Sequence, residues 1–183
     1  MDSINSAALR QEALRYDNKT ILLHWLTAMF VALAWGMAQI IDYFPSGWPR
    51  VDARSVHIVL GVAVGVVLAV RVIHRNGAGR ELPPAGDGLL LFLAKATHIA
   101  LYLIIAAMVV LGVMYASARG DLIFGLFTMP GAALHALRHT IGSAHALLAN
   151  VILAVVGLHA AAALAHHFFW RDGVLRRMLP GPS

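Results

Sequence analysis

Four runs of apolar residues, at about 21–41, 56–73, 89–114 and 144–169, constrain this chain more than any other feature. An α-helix needs roughly 20 residues to cross a hydrocarbon layer about 30 Å thick, and each run approaches that length. A lone strand would leave its backbone groups unpaired in lipid, so the runs are read as helices. The third is interrupted near its start by Lys95 and His98. The expected fold is all-α: an integral membrane four-helix bundle, forming one domain over residues 1–183.

Composition agrees. Hydrophobic residues make up 60% of the chain and charged residues 13%, against about 25% charged in an ordinary soluble domain. The net charge of +5 does not point to nucleic acid, because the basic residues sit at the ends of apolar runs and form no stripe. The absence of cysteine removes disulfides, Cys-ligated iron–sulfur clusters and thioether-attached haem.

The connections carry turn residues. Pro45, Gly47 and Pro49 punctuate the first, and Gly77, Gly79, Pro83 and Pro84 the second. The third, 115–143, holds the apolar stretch Leu122 to Phe127, too short to span and expected to lie along the interface as a short helix or to cap the bundle. The mostly polar residues before the first run lack a cleavage-site pattern, so the first helix is expected to stay as an anchor.

An even number of spans puts both termini on one side. That side carries Arg10, Arg15, Lys19, Arg71, Arg75, Arg80, Lys95, Arg171, Arg176 and Arg177; the other carries Arg50, Arg54, Arg119 and Arg138. The bias favours cytoplasmic termini. Trp25, Trp48, Trp170 and Tyr43 fall near the expected interfaces, where amphipathic rings collect.

The chain has ten histidines, a surplus in so apolar a sequence. Ionisable residues within spans are costly and mark function by default. Five lie in or beside the runs: His24, His57, His98, His145 and His159. His145 and His159 are separated by about 21 Å along a helix axis and lie within about 40° of one face. Two histidines on one face at two depths suit two stacked haems. Following the chain through the membrane pairs His57 with His145 on the outer side and His24 with His159 on the cytoplasmic side. Bis-histidine ligation fits electron transfer because both axial positions of the iron are taken. The inner pair is imperfectly level, since His24 opens its run while His159 lies well before Trp170; tilt or extension of the fourth helix would level them. The bland alternative for each ring is a hydrogen bond to a neighbouring helix carbonyl.

Arg71 follows His57 on the same helix face and either neutralises a propionate of the inner haem or snorkels to the surface. Arg50 and Arg54 are placed to serve the outer haem similarly. His98 is read as a quinone-site or proton-handling group, or as a residue bonding a carbonyl. His135 and His139 have an i, i+4 spacing that suits zinc on a helix, but lack a third ligand and are read as surface residues. His74, His166 and His167 are read as interfacial. Gly61 and Gly65 permit close helix approach or leave room for a haem face.

These residues carry a family resemblance. Ile21-Leu22-Leu23-His24-Trp25 opens the first helix, His57 opens the second, and Thr97-His98-Ile99-Ala100-Leu101-Tyr102 lies in the third. Gly157-Leu158-His159-Ala160-Ala161-Ala162-Ala163-Leu164-Ala165-His166-His167 lies in the fourth, and Phe124-Gly125-Leu126-Phe127-Thr128-Met129-Pro130 in the outer connection. Over nearly its whole length the chain resembles the small dihaem type of the bacterial cytochrome b561 family. The resemblance implies a multi-pass protein of the cytoplasmic (inner) membrane with two b-type haems, held by His24, His57, His145 and His159. It also implies superoxide:ubiquinone oxidoreductase activity, with superoxide as periplasmic donor and ubiquinone as acceptor. The alternative is a haem-bearing membrane subunit of a larger hydrogenase- or formate dehydrogenase-like complex. A haem-free, histidine-lined metal transporter is disfavoured by the scarcity of acids in the spans. Expected partners are membrane lipid, a quinone and superoxide, with a homodimer as one possible assembly and nucleic acid excluded.

Overall fold

The computed structural model describes residues 14–84 and 86–180; Arg10 of the positive-side count lies outside the described residues. Four long helices account for most of the structure: α1 Asn18–Ile40, α2 Trp48–Gly77, α3 Gly88–Arg119 and α4 Arg138–Ala165. All four spans are long and apolar enough to cross a membrane.

Each helix starts before its apolar window, and α2 and α3 also run past the end of theirs, because the backbone ladder continues into water wherever caps and turn residues allow. Asp17 caps α1, accepting from Thr20 N at 2.9 Å and Thr20 Oγ1 at 2.7 Å. Pro49 stands in the first turn of α2, where its missing N–H costs nothing. Gly120 ends α3 in the left-handed conformation (φ 65°). A single π-turn, His166–Trp170, prolongs α4. Arg171 then reverses the chain at φ 52°, and a short 3₁₀ turn, Leu175–Met178, follows.

The third connection corrects one expectation. Leu122–Phe127 forms no interfacial helix; it belongs to a small antiparallel hairpin pairing Leu122 with Thr128 and Ile123 with Phe127. Phe124 and Gly125 take positive φ (46° and 72°) at its tip, which turn chemistry favours over helix. The hairpin caps the bundle through Ser55 of α2, fully buried, whose hydroxyl contacts the Val51 and Leu122 carbonyls and accepts from Phe124 N at 3.0 Å. A 3₁₀ turn, Ala132–Leu137, leads into α4.

In the bundle α1 packs on α2, α2 on α3, and α3 on α4. The tightest apolar cluster joins Val64 and Leu68 of α2, Ile105 of α3 and Ile152 of α4, with Phe30 and Val31 of α1 against it. Val64 and Ile152 each lie seven residues past a histidine, so this cluster occupies mid-depth. Most other large apolar side chains, such as Leu33, Val66, Leu103 and Leu158, face outward, as lipid-facing residues do. Gly65 allows α2 to approach α3: a Cβ there would stand 2.9 Å from Val109 Cγ1. Gly61 meets nothing within 4 Å, so close helix approach is seen at Gly65 and not at Gly61.

The two ends of the bundle differ. One carries the hairpin. At the other the polypeptide strap after α4 returns across the termini: Trp25 Nε1 donates to the Met178 carbonyl (2.7 Å), Tyr16 N to the Arg177 carbonyl (3.2 Å), and Arg177 Nη1 to the Pro83 carbonyl (2.7 Å).

Candidate functional site: two facing histidine pairs

The bundle brings four of the five span histidines into two pairs, one toward each end. At the hairpin end His57 of α2 faces His145 of α4, with ring centres 6.2 Å apart and planes at 82°. At the terminal end His24 of α1 faces His159 of α4, at 6.3 Å and 65°.

These separations can be tested against a metal. With a metal–nitrogen bond of about 2.0–2.1 Å and a ring nitrogen about 1.1 Å from its ring centre, an ion held in line between two imidazoles places the centres about 6.2 Å apart. Both pairs meet that value. Among the described residues no group of three or more His, Cys, Asp or Glu side chains converges, so the donor sets are bis-imidazole. A pair of neutral nitrogen donors in an apolar helix bundle matches the axial ligation of haem iron better than a four-ligand zinc site.

The surroundings of the hairpin-end pair suit ligation. His57 Nδ1 lies 2.9 Å from the Ala34 carbonyl of α1. A carbonyl only accepts, so Nδ1 carries the proton and Nε2 keeps its lone pair for a metal. His145 Nδ1 is buried without a hydrogen-bond partner among the described residues. Gly112 provides the space: a Cβ there would stand 3.1 Å from His145 Cε1. Tyr115 stacks at a tilt beside His145, 6.4 Å centre to centre. It needs Gly142 in turn, where a Cβ would approach the Tyr115 ring to 2.8 Å.

The terminal-end pair is built differently. Arg71 Nη2 donates to His24 Nδ1 at 3.1 Å, and the guanidinium lies 5.1 Å from the centre of the Tyr102 ring. A guanidinium has no lone pair, so His24 Nδ1 is the acceptor and a neutral ring carries its proton on Nε2. Metal ligation through Nε2 therefore requires Arg71 to release His24. His98 stands 5.2 Å from His159, while its Nδ1 donates to the Ala94 carbonyl one turn back at 2.7 Å. That is the carbonyl-bonded alternative, yet it leaves His98 Nε2 as a lone pair beside the site.

The basic residues at the hairpin end are largely engaged. Arg50 donates to the Phe44 carbonyl (2.8 and 3.0 Å) and the Asp42 carbonyl (3.2 Å), which fixes the α1–α2 turn. Arg54 and Arg119 share Asp121, at 3.3 and 3.4 Å. Arg119 also lies over the Tyr115 ring at 5.2 Å. Tyr115, Arg119, Arg138 and His139 line a cavity of about 240 Å³.

Several residues escaped the sequence reading. Asp121, 8% exposed, organises two arginines; its only signal is an acid directly after the Gly120 cap. Ala34 acts through its backbone carbonyl, which carries no side-chain signature. His74 does not simply lie at the interface: its Nε2 meets Asp17 Oδ1 at 2.9 Å, tying α2 to the α1 cap. His166 pairs with Asp172. His135 and His139 fall in different elements, and both are exposed.

Comparison with known proteins agrees with this architecture. The family model described as prokaryotic cytochrome b561 matches residues 15–181. A protein of Yersinia pestis named probable superoxide oxidase CybB is 32% identical over 171 residues, covering 91% of this chain and 96% of that protein. Cytochrome b561 homolog 1 of Escherichia coli K12 is 31% identical, covering 91% and 97%. Cytochrome b561 homolog 2 of the same organism is 31% identical, covering 90% and 91%. A four-span helical bundle with facing imidazoles, matched along almost its full length, thus belongs to the prokaryotic cytochrome b561 family: it is a bacterial membrane b-type cytochrome of electron transfer.

Proposed function

We propose that the protein holds two haems b, one between His57 and His145 and one between His24 and His159, and moves single electrons from superoxide to ubiquinone. The observation that carries this reading is the pair of ring separations, 6.2 and 6.3 Å, at two depths of one bundle. Haem held by the two imidazoles of each pair would supply one-electron chemistry at iron.

The chain's own residues orient and neutralise. The Ala34 carbonyl holds the His57 Nδ1 proton at the hairpin end, which leaves Nε2 of that ring as the free lone-pair donor. At the terminal end Arg71, which rests against Tyr102 and His24, would be the residue to neutralise an anionic group such as a haem propionate. His98, on α3 beside His159, is the residue for a quinone: its free Nε2 accepts a hydrogen bond from a hydroquinone hydroxyl, or donates one when protonated.

The positive-inside bias supports a reading with both termini in the cytoplasm of a bacterial inner membrane and the hairpin end in the periplasm. Arg50, Arg54, Arg119 and Arg138 stand against Asp42, Asp52 and Asp121 at the hairpin end, so its small net positive charge depends on Arg138. Such a field raises the encounter rate of a small anion, more strongly at low salt. The test is anaerobic stopped-flow mixing of the oxidised protein with superoxide. Haem reduction is expected to slow by about tenfold in Arg138→Gln combined with Arg119→Gln. Equal rates in wild type and variant would remove superoxide steering from the proposal.

A further inference from the structure

Beyond the histidine pairs, the terminal end carries a second basic cavity that electron transfer does not use. It measures about 270 Å³ and is lined by His167, Phe168, Arg171, Gly173 and Arg176. We propose that it binds the phosphate group of an anionic membrane lipid.

Arg171 is held in the left-handed region at φ 52°, a conformation that non-glycine residues seldom adopt and that surrounding structure must enforce. It directly follows a π-turn, a local irregularity frequent at functional sites. Gly173, at φ 78°, completes the reversal that brings Arg176 back toward Arg171. The nearest acid of this segment, Asp172, is already engaged: Oδ2 pairs with His166 Nδ1, and Oδ1 accepts from Val174 N at 3.1 Å. No hydrogen bond or ion pair engages the Arg171 or Arg176 guanidinium among the described residues. Two free guanidiniums in one concavity, with a histidine beside them and no lining acid, form an anion site. Their planar forks suit phosphate oxygens.

Position selects the lipid. The fourth span ends at Trp170, and Phe168, Phe169 and Trp170 are all exposed. Such rings sit at headgroup depth, so the cavity opens where lipid phosphates lie. Acyl chains would run along the exposed aromatic rings, and basic groups at that depth attract anionic headgroups.

The test is native mass spectrometry of the purified full-length holoprotein in detergent, titrated with phosphatidylglycerol or phosphatidylcholine. Phosphatidylglycerol is expected to bind at least fivefold more tightly. Arg171→Gln should weaken it about fivefold and the double variant with Arg176→Gln about thirtyfold, with the haem spectrum unchanged. Arg75→Gln, an exposed arginine at the same end, should have no effect. Inorganic phosphate at millimolar concentration is added to the bound complex. Retention of the lipid assigns the site to a headgroup; displacement assigns it to free phosphate. Should the double glutamine variant fail to accumulate, Arg171→Lys with Arg176→Lys keeps the charge without the fork and is expected to bind several-fold more weakly. Equal affinity of wild type and either double variant for phosphatidylglycerol, or no preference over phosphatidylcholine, would overturn the proposal.

Discussion

The hairpin-end and terminal-end histidine pairs share a separation but not a construction. His57 is positioned by a main-chain acceptor, the Ala34 carbonyl, and His145 by the space at Gly112. His24 and His159 are surrounded by side chains: Arg71, Tyr102, Trp25 and His98. The first arrangement is rigid, since a helix carbonyl cannot move without its helix. The second is adjustable, since Arg71 must leave His24 before that ring presents a lone pair. One bundle therefore offers two sites of the same ligand type with different local charge, a means of setting two different reduction potentials. The apolar layer of Val64, Leu68, Ile105 and Ile152 separates them.

The contrast can be broken one pair at a time. The largest effect is expected from ligand removal. His145→Ala should empty the hairpin-end site alone, and His159→Ala the terminal-end site alone, each halving the haem content measured by pyridine haemochrome. Loss of both haems from either variant would show that the two sites do not form independently.

Next in size is Gly112→Ala. The new methyl meets His145 Cε1 at 3.1 Å and forces the ring to move. Redox titration should show the hairpin-end haem shifted or partly lost while the terminal-end haem keeps its potential. Equal changes at both would contradict the local account.

Arg71→Leu should act in the opposite place. Without a cation near the terminal-end site, the reduced haem is favoured less, and that haem's potential should fall by tens of millivolts with the other unchanged. An unaltered potential and occupancy would reduce Arg71 to a snorkelling residue.

The smallest effect concerns the tie between α1 and α2. Burial alone would raise the Asp17 pKa, but hydrogen bonds from Thr20, His74 and the Arg80 N–H hold the carboxyl well below the usual carboxylate range. A depressed value in the folded state means the tie contributes fully above the ordinary Asp value of about 3.9 and is lost progressively as pH falls from there through the lower folded-state value. Thermal unfolding should show Asp17→Ala less stable by about 1 kcal/mol at neutral pH. The difference from wild type should shrink in acid, and a constant difference would reject the linkage.

The sequence displayed what is periodic and what is out of place. Spans appeared as apolar windows, and His24, His57, His145 and His159 as costly residues whose depths follow from chain direction alone. Helix ends were less legible: α2 begins at Trp48 and α3 runs to Arg119 because hydrogen bonding does not stop where lipid does. The hairpin was hidden because its latch joins Ser55 to Phe124, 69 residues apart, and apolar content alone cannot separate a short strand from a short helix. The engagement of Arg50 with turn carbonyls and of Arg54 with Asp121 was equally invisible, because charge counting places arginines but not their partners. The same limit hid the free arginines at the end of α4.

Haem stoichiometry tests the central claim most directly. A pyridine haemochrome assay against protein concentration, paired with a reduced-minus-oxidised spectrum, should give two haems b per wild-type chain and one in each fourth-helix histidine variant. One haem per fully loaded wild-type chain, or two retained when both His145 and His159 are replaced, would contradict it.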